Sequence, residues 1–185
     1  MPRTRKDLVA GLVAVAVVLS SHPAAGREKA AEIDKNARAA LADLYAKVDG
    51  AKALGGKAHA ILVFPKITKA GLVVGGLHGD GALIQGGKTV GYYSTSGGSV
   101  GLQAGVQTYG YALLFMNPAA LKQLDKADGF EVGVGPSVVV LDEGKAKNVT
   151  TTTAKDDIYA FIFGQKGLMA GLGIQGNKIT RTKPN

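Results

Sequence analysis

Cysteine is absent from the 185-residue chain. Its absence excludes disulfides, thiolate metal sites, cysteine nucleophiles and a lipoprotein-type acylated cysteine. It says little about compartment, because exported proteins without disulfides are common. Histidine is scarce. Beyond the N-terminal segment only His59 and His78 occur, in no H-x-x-x-H or H-E-x-x-H context, so no metal set is indicated. Acidic residues are the minority charge, 14 against 22 Lys and Arg, for a net of +8. A basic balance suggests an anionic partner without choosing among nucleic acid, anionic lipid and acidic polymer.

Hydrophobic residues make up 46% of the chain, which excludes a largely disordered polypeptide, and the length fits one domain with a real core. The N-terminus has three parts. Arg3, Arg5 and Lys6 precede an apolar run, Leu8–Leu19, and then the small-residue stretch SSHPAAG. This is the pattern of a secretory signal peptide, and the apolar run is well short of the roughly 20 residues that span a bilayer. The expectation is a leader over 1–26, cut near Ala24 to Gly26, and a single domain over 27–185 that is periplasmic or secreted. Loss of Arg3, Arg5, Lys6 and Asp7 with the leader lowers the net charge from +8 to +6.

Residues 27–48 read as an amphipathic helix. Ile33, Ala37, Leu41, Leu44 and Val48 recur at spacings of three and four, with charged residues elsewhere. Such a stripe either docks on its own domain or lies on a membrane surface, and these five side chains are the candidate membrane contacts.

From HAILVFP onward the pattern changes to period two. Gly101, Gln103, Gly105 and Gln107 share a face opposite Leu102, Ala104, Val106 and Thr108. The same split recurs in EVGVGPSVVVL and in GLMAGLGIQG. Glycine repeated on one face lets a sheet curl tightly or lets a helix lie against it. The segment VGYYSTSGGSVGLQAGVQTYGYALLFMN, which lacks histidine, cysteine and acidic residues, therefore reads as architecture: two strands joined near TSGG. A short helix interrupts the strands at NPAALKQLDKADG, with Asn117 as cap, Pro118 at the first helical position and Gly129 beyond the end. The expected fold is α+β: a strongly curved, mostly antiparallel, glycine-rich sheet, half-barrel or barrel-like, with a long N-terminal helix and a short interrupting one.

Several motifs tempt and fail. ALIQGGKT (Ala82–Thr89) has alanine where a phosphate-binding loop needs its first glycine, and a strand follows, so Gly86-Gly87 reads as a hairpin turn. Gly171, Gly173 and Gly176 spell G-x-G-x-x-G, but no helix pattern follows. Asp156 and Asp157 are neighbours that point to opposite sides and do not converge as a catalytic pair. Gly97-Gly98-Ser99-Val100-Gly101 spells G-x-S-x-G, but the serines lie in turns or strands without the strand-to-helix elbow that motif needs. The reading is non-enzymatic, with no cofactor and no metal. Nucleic acid is not expected, since the basic residues are spread and no recognition-helix pattern occurs. Lys66, Lys69, Lys166, Lys178 and Arg181 fall in or near turns and are the candidate head-group contacts, as one basic rim if those turns cluster.

Four blocks in order resemble one family: ILVFPKITKAGLVVGGLHGDGAL, GYYSTSGGSVGLQAGVQTYGYALLFM, DGFEVGVGPSVVV and YAFIFGQKGLMAGLGIQGNKITR. They look like the SYLF lipid-binding domain in its bacterial exported branch, from about Ala30 to Arg181. Phe130 stands where tryptophan is frequent in that family, and Gln175 where glutamate is common. The resemblance implies lipid binding. Eukaryotic members bind phosphoinositides and some associate with actin, often with an added SH3 or FYVE module. Neither module is seen here, and actin is not expected as a partner of an exported protein. The functional expectation is an exported lipid- or membrane-binding protein that recognises anionic phospholipid through the basic rim and the N-terminal helix. The alternative is an envelope structural protein with a protein or glycan partner. The oligomeric state is left open.

Overall fold

The computed structural model of the protein describes residues 30–71, 74–100, 105–141, 155–166, 174 and 176–184. The leader expected over 1–26 lies outside them, as does most of GLMAGLGIQG. Two helices come first, α1 (Ala30–Lys47) and α2 (Asp49–Gly55). Four long strands follow: β1 (Ala60–Gly71), β2 (Val74–Gln85), β3 (Lys88–Val100) and β4 (Gly105–Phe115). Then come α3 (Pro118–Leu121) with a 3-10 turn at Lys122–Asp125, β5 (Phe130–Glu131), β6 (Val138–Leu141), β7 (Ile158–Lys166) and β8 (Lys178–Thr182). The strands form one sheet in the order β5-β8-β3-β2-β1-β4-β7-β6. Every pairing is antiparallel except β6–β7. The sheet curls into a half-barrel, as the glycine pattern leads one to expect.

Period-two alternation divides the sheet into two buried faces. The inner face gathers Leu62, Phe64, Ile67, Leu83, Tyr111, Leu113, Phe115 and Ile162, closed by Ala120, Leu124 and Phe130 from the α3 region. Phe64 and Tyr111 meet at a ring-centroid distance of 4.8 Å. Tyr111 is fully buried, and its hydroxyl donates to Thr95 Oγ1 at 2.7 Å, so the aromatic brings no unsatisfied polar atom into the core. The outer face gathers Ile61, Val63, Ala82, Ile84, Ala112 and Leu114, covered by Ile33, Ala37 and Leu44 of α1, Val48 between the helices, and Ala51 and Leu54 of α2.

The sequence motifs place the turns well. Gly86 and Gly87 have φ of 56° and 77°, the two left-handed positions of a tight hairpin between β2 and β3. Asn117 caps α3 by accepting from Ala120 N at 2.8 Å, and Gly129 has φ 83°.

Three expectations require correction. TSGG does not join two strands: Thr95–Gly98 lies inside β3, which continues to Val100. Neither Gly97 nor Gly98 adopts positive φ, so both stay extended. EVGVGPSVVVL is not one strand. Gly133 (φ 96°) and Gly135 (φ 102°) break it after Glu131, and it resumes at Val138. In β4 the sides are exchanged relative to the expectation: Gln107 is buried with Tyr109 and Tyr111, while Val106 is 64% exposed. The alternation itself is kept, and the aromatic residues downstream decide which parity faces the core.

Candidate functional site

The stripe expected as a membrane contact is already occupied. Ile33, Ala37, Leu44 and Val48 are buried against the sheet, and Leu41 is half-buried beside them. Docking on its own domain is the arrangement the structure has, so all but the half-buried Leu41 are withdrawn from the surface. A polar clasp pins the exposed flank of the helix. Arg38 donates to Gly87 O at 3.0 Å and to Thr89 Oγ1 at 2.9 Å. Asp34 pairs with Arg38 and accepts from the Thr89 hydroxyl. The Thr89 hydrogen bond, then Arg38, holds the Asp34 carboxyl below its ordinary value of 3.8 against the opposing effect of burial.

The five basic candidates are only partly brought together. Lys66 and Lys166 line one shallow cavity of about 430 Å³ with Pro65, Thr108, Tyr109 and Gly164. Two irregularities place them there. The β1 register shifts between Phe64 and Ile67, and the β4–β7 register shifts between Thr108 and Gly110, where Gly164 adopts φ 63°. Bulges in strands on either side of β4 re-aim both lysines into the same space. Both are exposed, so their charges remain solvated until an anion arrives.

The other three lie apart. Lys69 is on β1, opposite Gln107 and Leu77. Lys178 is on β8 at the other side of the sheet, opposite Ser96 and Glu131. Arg181, also on β8, lies opposite Tyr93 and reaches Val90 O at 3.5 Å. The single five-residue rim is therefore not formed. Thr108 and Gly164 had no signal in the sequence, because register shifts are set by strand pairing rather than by local composition.

The acid–base candidates are tied up structurally. Asp157 accepts from Asn117 Nδ2 at 2.8 Å, and its backbone N–H donates to Ser137 Oγ at 2.9 Å, which joins the α3 cap to the start of β7. Asp156 accepts from the Tyr159 hydroxyl at 3.2 Å. His59 sits against Gln85 at 3.0 Å, and His78 lies 3.8 Å from Asp80. Among the described residues no three His, Cys, Asp or Glu side chains group as a metal set, and no helix is long and apolar enough to cross a membrane.

Residues 96–185 match the family model Ysc84, described as Las17-binding protein actin regulator. This supports the SYLF resemblance from the end of β3 through β8, the span that holds Lys166, Lys178 and Arg181. No curated protein matches the chain.

Proposed function

We propose that the protein is an exported, non-enzymatic lipid-binding protein that docks on anionic phospholipid surfaces, with the Lys66–Lys166 cavity as its head-group contact. The convergence of these two lysines carries the reading. Two ammonium groups and the Thr108 hydroxyl beside one open cavity suit a phosphate or carboxylate oxygen. The family match supports lipid as the class of ligand. Each lysine near an anionic membrane surface contributes about 1 kcal/mol, so the pair and its neighbours suffice for reversible docking.

The basic, apolar and small-residue parts of residues 1–26 favour export into a bacterial envelope. The actin regulation named in the family's description is not taken over, because an exported protein would not meet actin. Co-sedimentation of the protein with vesicles tests the reading, comparing phosphatidylcholine alone with phosphatidylcholine containing phosphatidylglycerol. Preferential recovery with the anionic vesicles supports it. Recovery with neither, alongside cross-links to envelope proteins, replaces it with a scaffold role.

A further inference from the structure

Strand register carries one row of outer-face residues across six strands. Lys178 stands opposite Ser96, Ser96 opposite His78, His78 opposite Thr68, Thr68 opposite Thr108, and Thr108 opposite Lys166. His78 and Thr108 share the parity of Ala82 and Ala112, which face the helices, so the row lies on the outer face. Among the described residues the helices cover the part of that face beside the Gly86–Gly87 turn, where Arg38 is bonded. All six residues of the row are exposed except Thr108, which is half-buried.

Beyond this row the described residues of the outer face carry no charge. The next row is Val106, Ala70, Gly76 and Gly98, all exposed. Val74, one step further along β2, is 72% exposed and Val106 is 64% exposed. A methyl group built on Gly76 or Gly98 would touch nothing within 4 Å, so this is open surface. No charged residue occurs between Lys69 and His78, nor from Thr89 to Leu121. The sheet therefore ends in an uncharged patch of valine, alanine and glycine, bordered by a polar row with a lysine at each end.

We infer that this end of the outer face, with Val74 and Val106 at its centre, enters the interfacial layer of an anionic lipid surface while Lys66, Lys166 and Lys178 meet the head groups. The inference rests on the lipid-binding reading above and assigns it a surface. An apolar patch fringed by cations matches an interface that is apolar below and anionic above. A second copy of the chain is a poorer occupant. Two-fold pairing of this face would set one lysine-ended row against another, placing like charges together.

The chain contains no tryptophan, so a single introduced indole reports its own position. Val74→Trp and Val106→Trp are compared with Val90→Trp, which lies near the Gly86–Gly87 turn at the opposite end of β3 and is 44% exposed in the parent. With phosphatidylglycerol-containing vesicles, emission of the first two variants shifts to the blue and is quenched by brominated acyl chains, whereas the third is unchanged. Val74→Asp with Val106→Asp weakens the salt-resistant part of binding by roughly tenfold or more, the loss expected when a valine-sized contact with lipid is removed. Vesicle binding with no shift at either tip position overturns this inference and leaves the lipid reading standing. Failure of the parent protein to bind any vesicle overturns both. A blue shift that grows with protein concentration in the absence of vesicles assigns the face to self-association and overturns the inference.

Discussion

Lys66 on β1 and Lys166 on β7 line the same cavity although β4 runs between their strands. Neither would reach it from a regular ladder. The shifted registers beside Ile67 and Gly110 turn both toward Thr108. Charge convergence in this fold is thus a product of sheet irregularity, and the effect of removing it is specific.

Lys66→Ala and Lys166→Ala should each weaken binding to phosphatidylglycerol vesicles about fivefold, from the roughly 1 kcal/mol that a lysine contributes at an anionic surface. Lys126→Ala, exposed in the segment after α3, should have a smaller effect. All three should leave the unfolding free energy within about 0.5 kcal/mol of the parent, as expected for exposed positions. Vesicle titration and urea unfolding on the same preparations separate the two outcomes.

Leu44→Ala should destabilise the protein by about 2–5 kcal/mol, because the leucine is 2% exposed in the core between α1 and the sheet. Ala46→Ser, on the exposed flank of the same helix, should cost at most about 0.5 kcal/mol. Urea unfolding without lipid checks this. A neutral Leu44→Ala would mean that the helix is not docked on the sheet in solution.

The Asp34 clasp gives a signed pH dependence. Its carboxyl is held below 3.8 in the folded state, so the charged form is the one the fold favours. The contribution is fully present above 3.8 and is lost as pH falls through the lower folded value. Asp34→Asn should reduce stability near neutral pH, and its difference from the parent should shrink as pH falls through the lowered folded value. The effect should stay within about 1 kcal/mol, since the ion pair with Arg38 is solvent-exposed. Thermal unfolding of parent and variant between pH 2.5 and 7 measures it.

Two glycines of β2 should respond oppositely to alanine. A methyl at Gly81 would strike Val63 O and the Phe64 ring, so Gly81→Ala should cost about 1–3 kcal/mol through overpacking. Gly76 faces open space, and Gly76→Ala should be neutral or slightly stabilising through reduced unfolded-chain entropy. Urea unfolding of both variants measures the contrast.

The sequence made the architecture readable where one local signal sufficed. The stripe from Ile33 to Val48 marks α1, Gly86-Gly87 marks a hairpin, and Asn117-Pro118 marks α3. It misled where the deciding contact was distant. Gln107 looked like a bare-face residue until Tyr109 and Tyr111 committed its parity to the core. Gly133 and Gly135 looked like strand alternation, yet each adopts a backbone conformation that ends a strand. For the site, lysine identities could be read from the chain, but their neighbours could not. Nothing near Lys66 indicates that a shifted register brings Lys166 to it while Lys178 remains on the far side of the sheet.

Vesicle affinity across a salt series, for the parent and for the Lys66→Glu, Lys166→Glu double variant, is the decisive measurement of lipid docking through this cavity. The parent should prefer anionic over neutral vesicles, this preference should fade as salt screens the head groups, and the double variant should lack it at every salt concentration. Equal affinity of parent and double variant for anionic vesicles would contradict the assignment of this cavity, and absence of parent binding to either vesicle would contradict lipid binding itself.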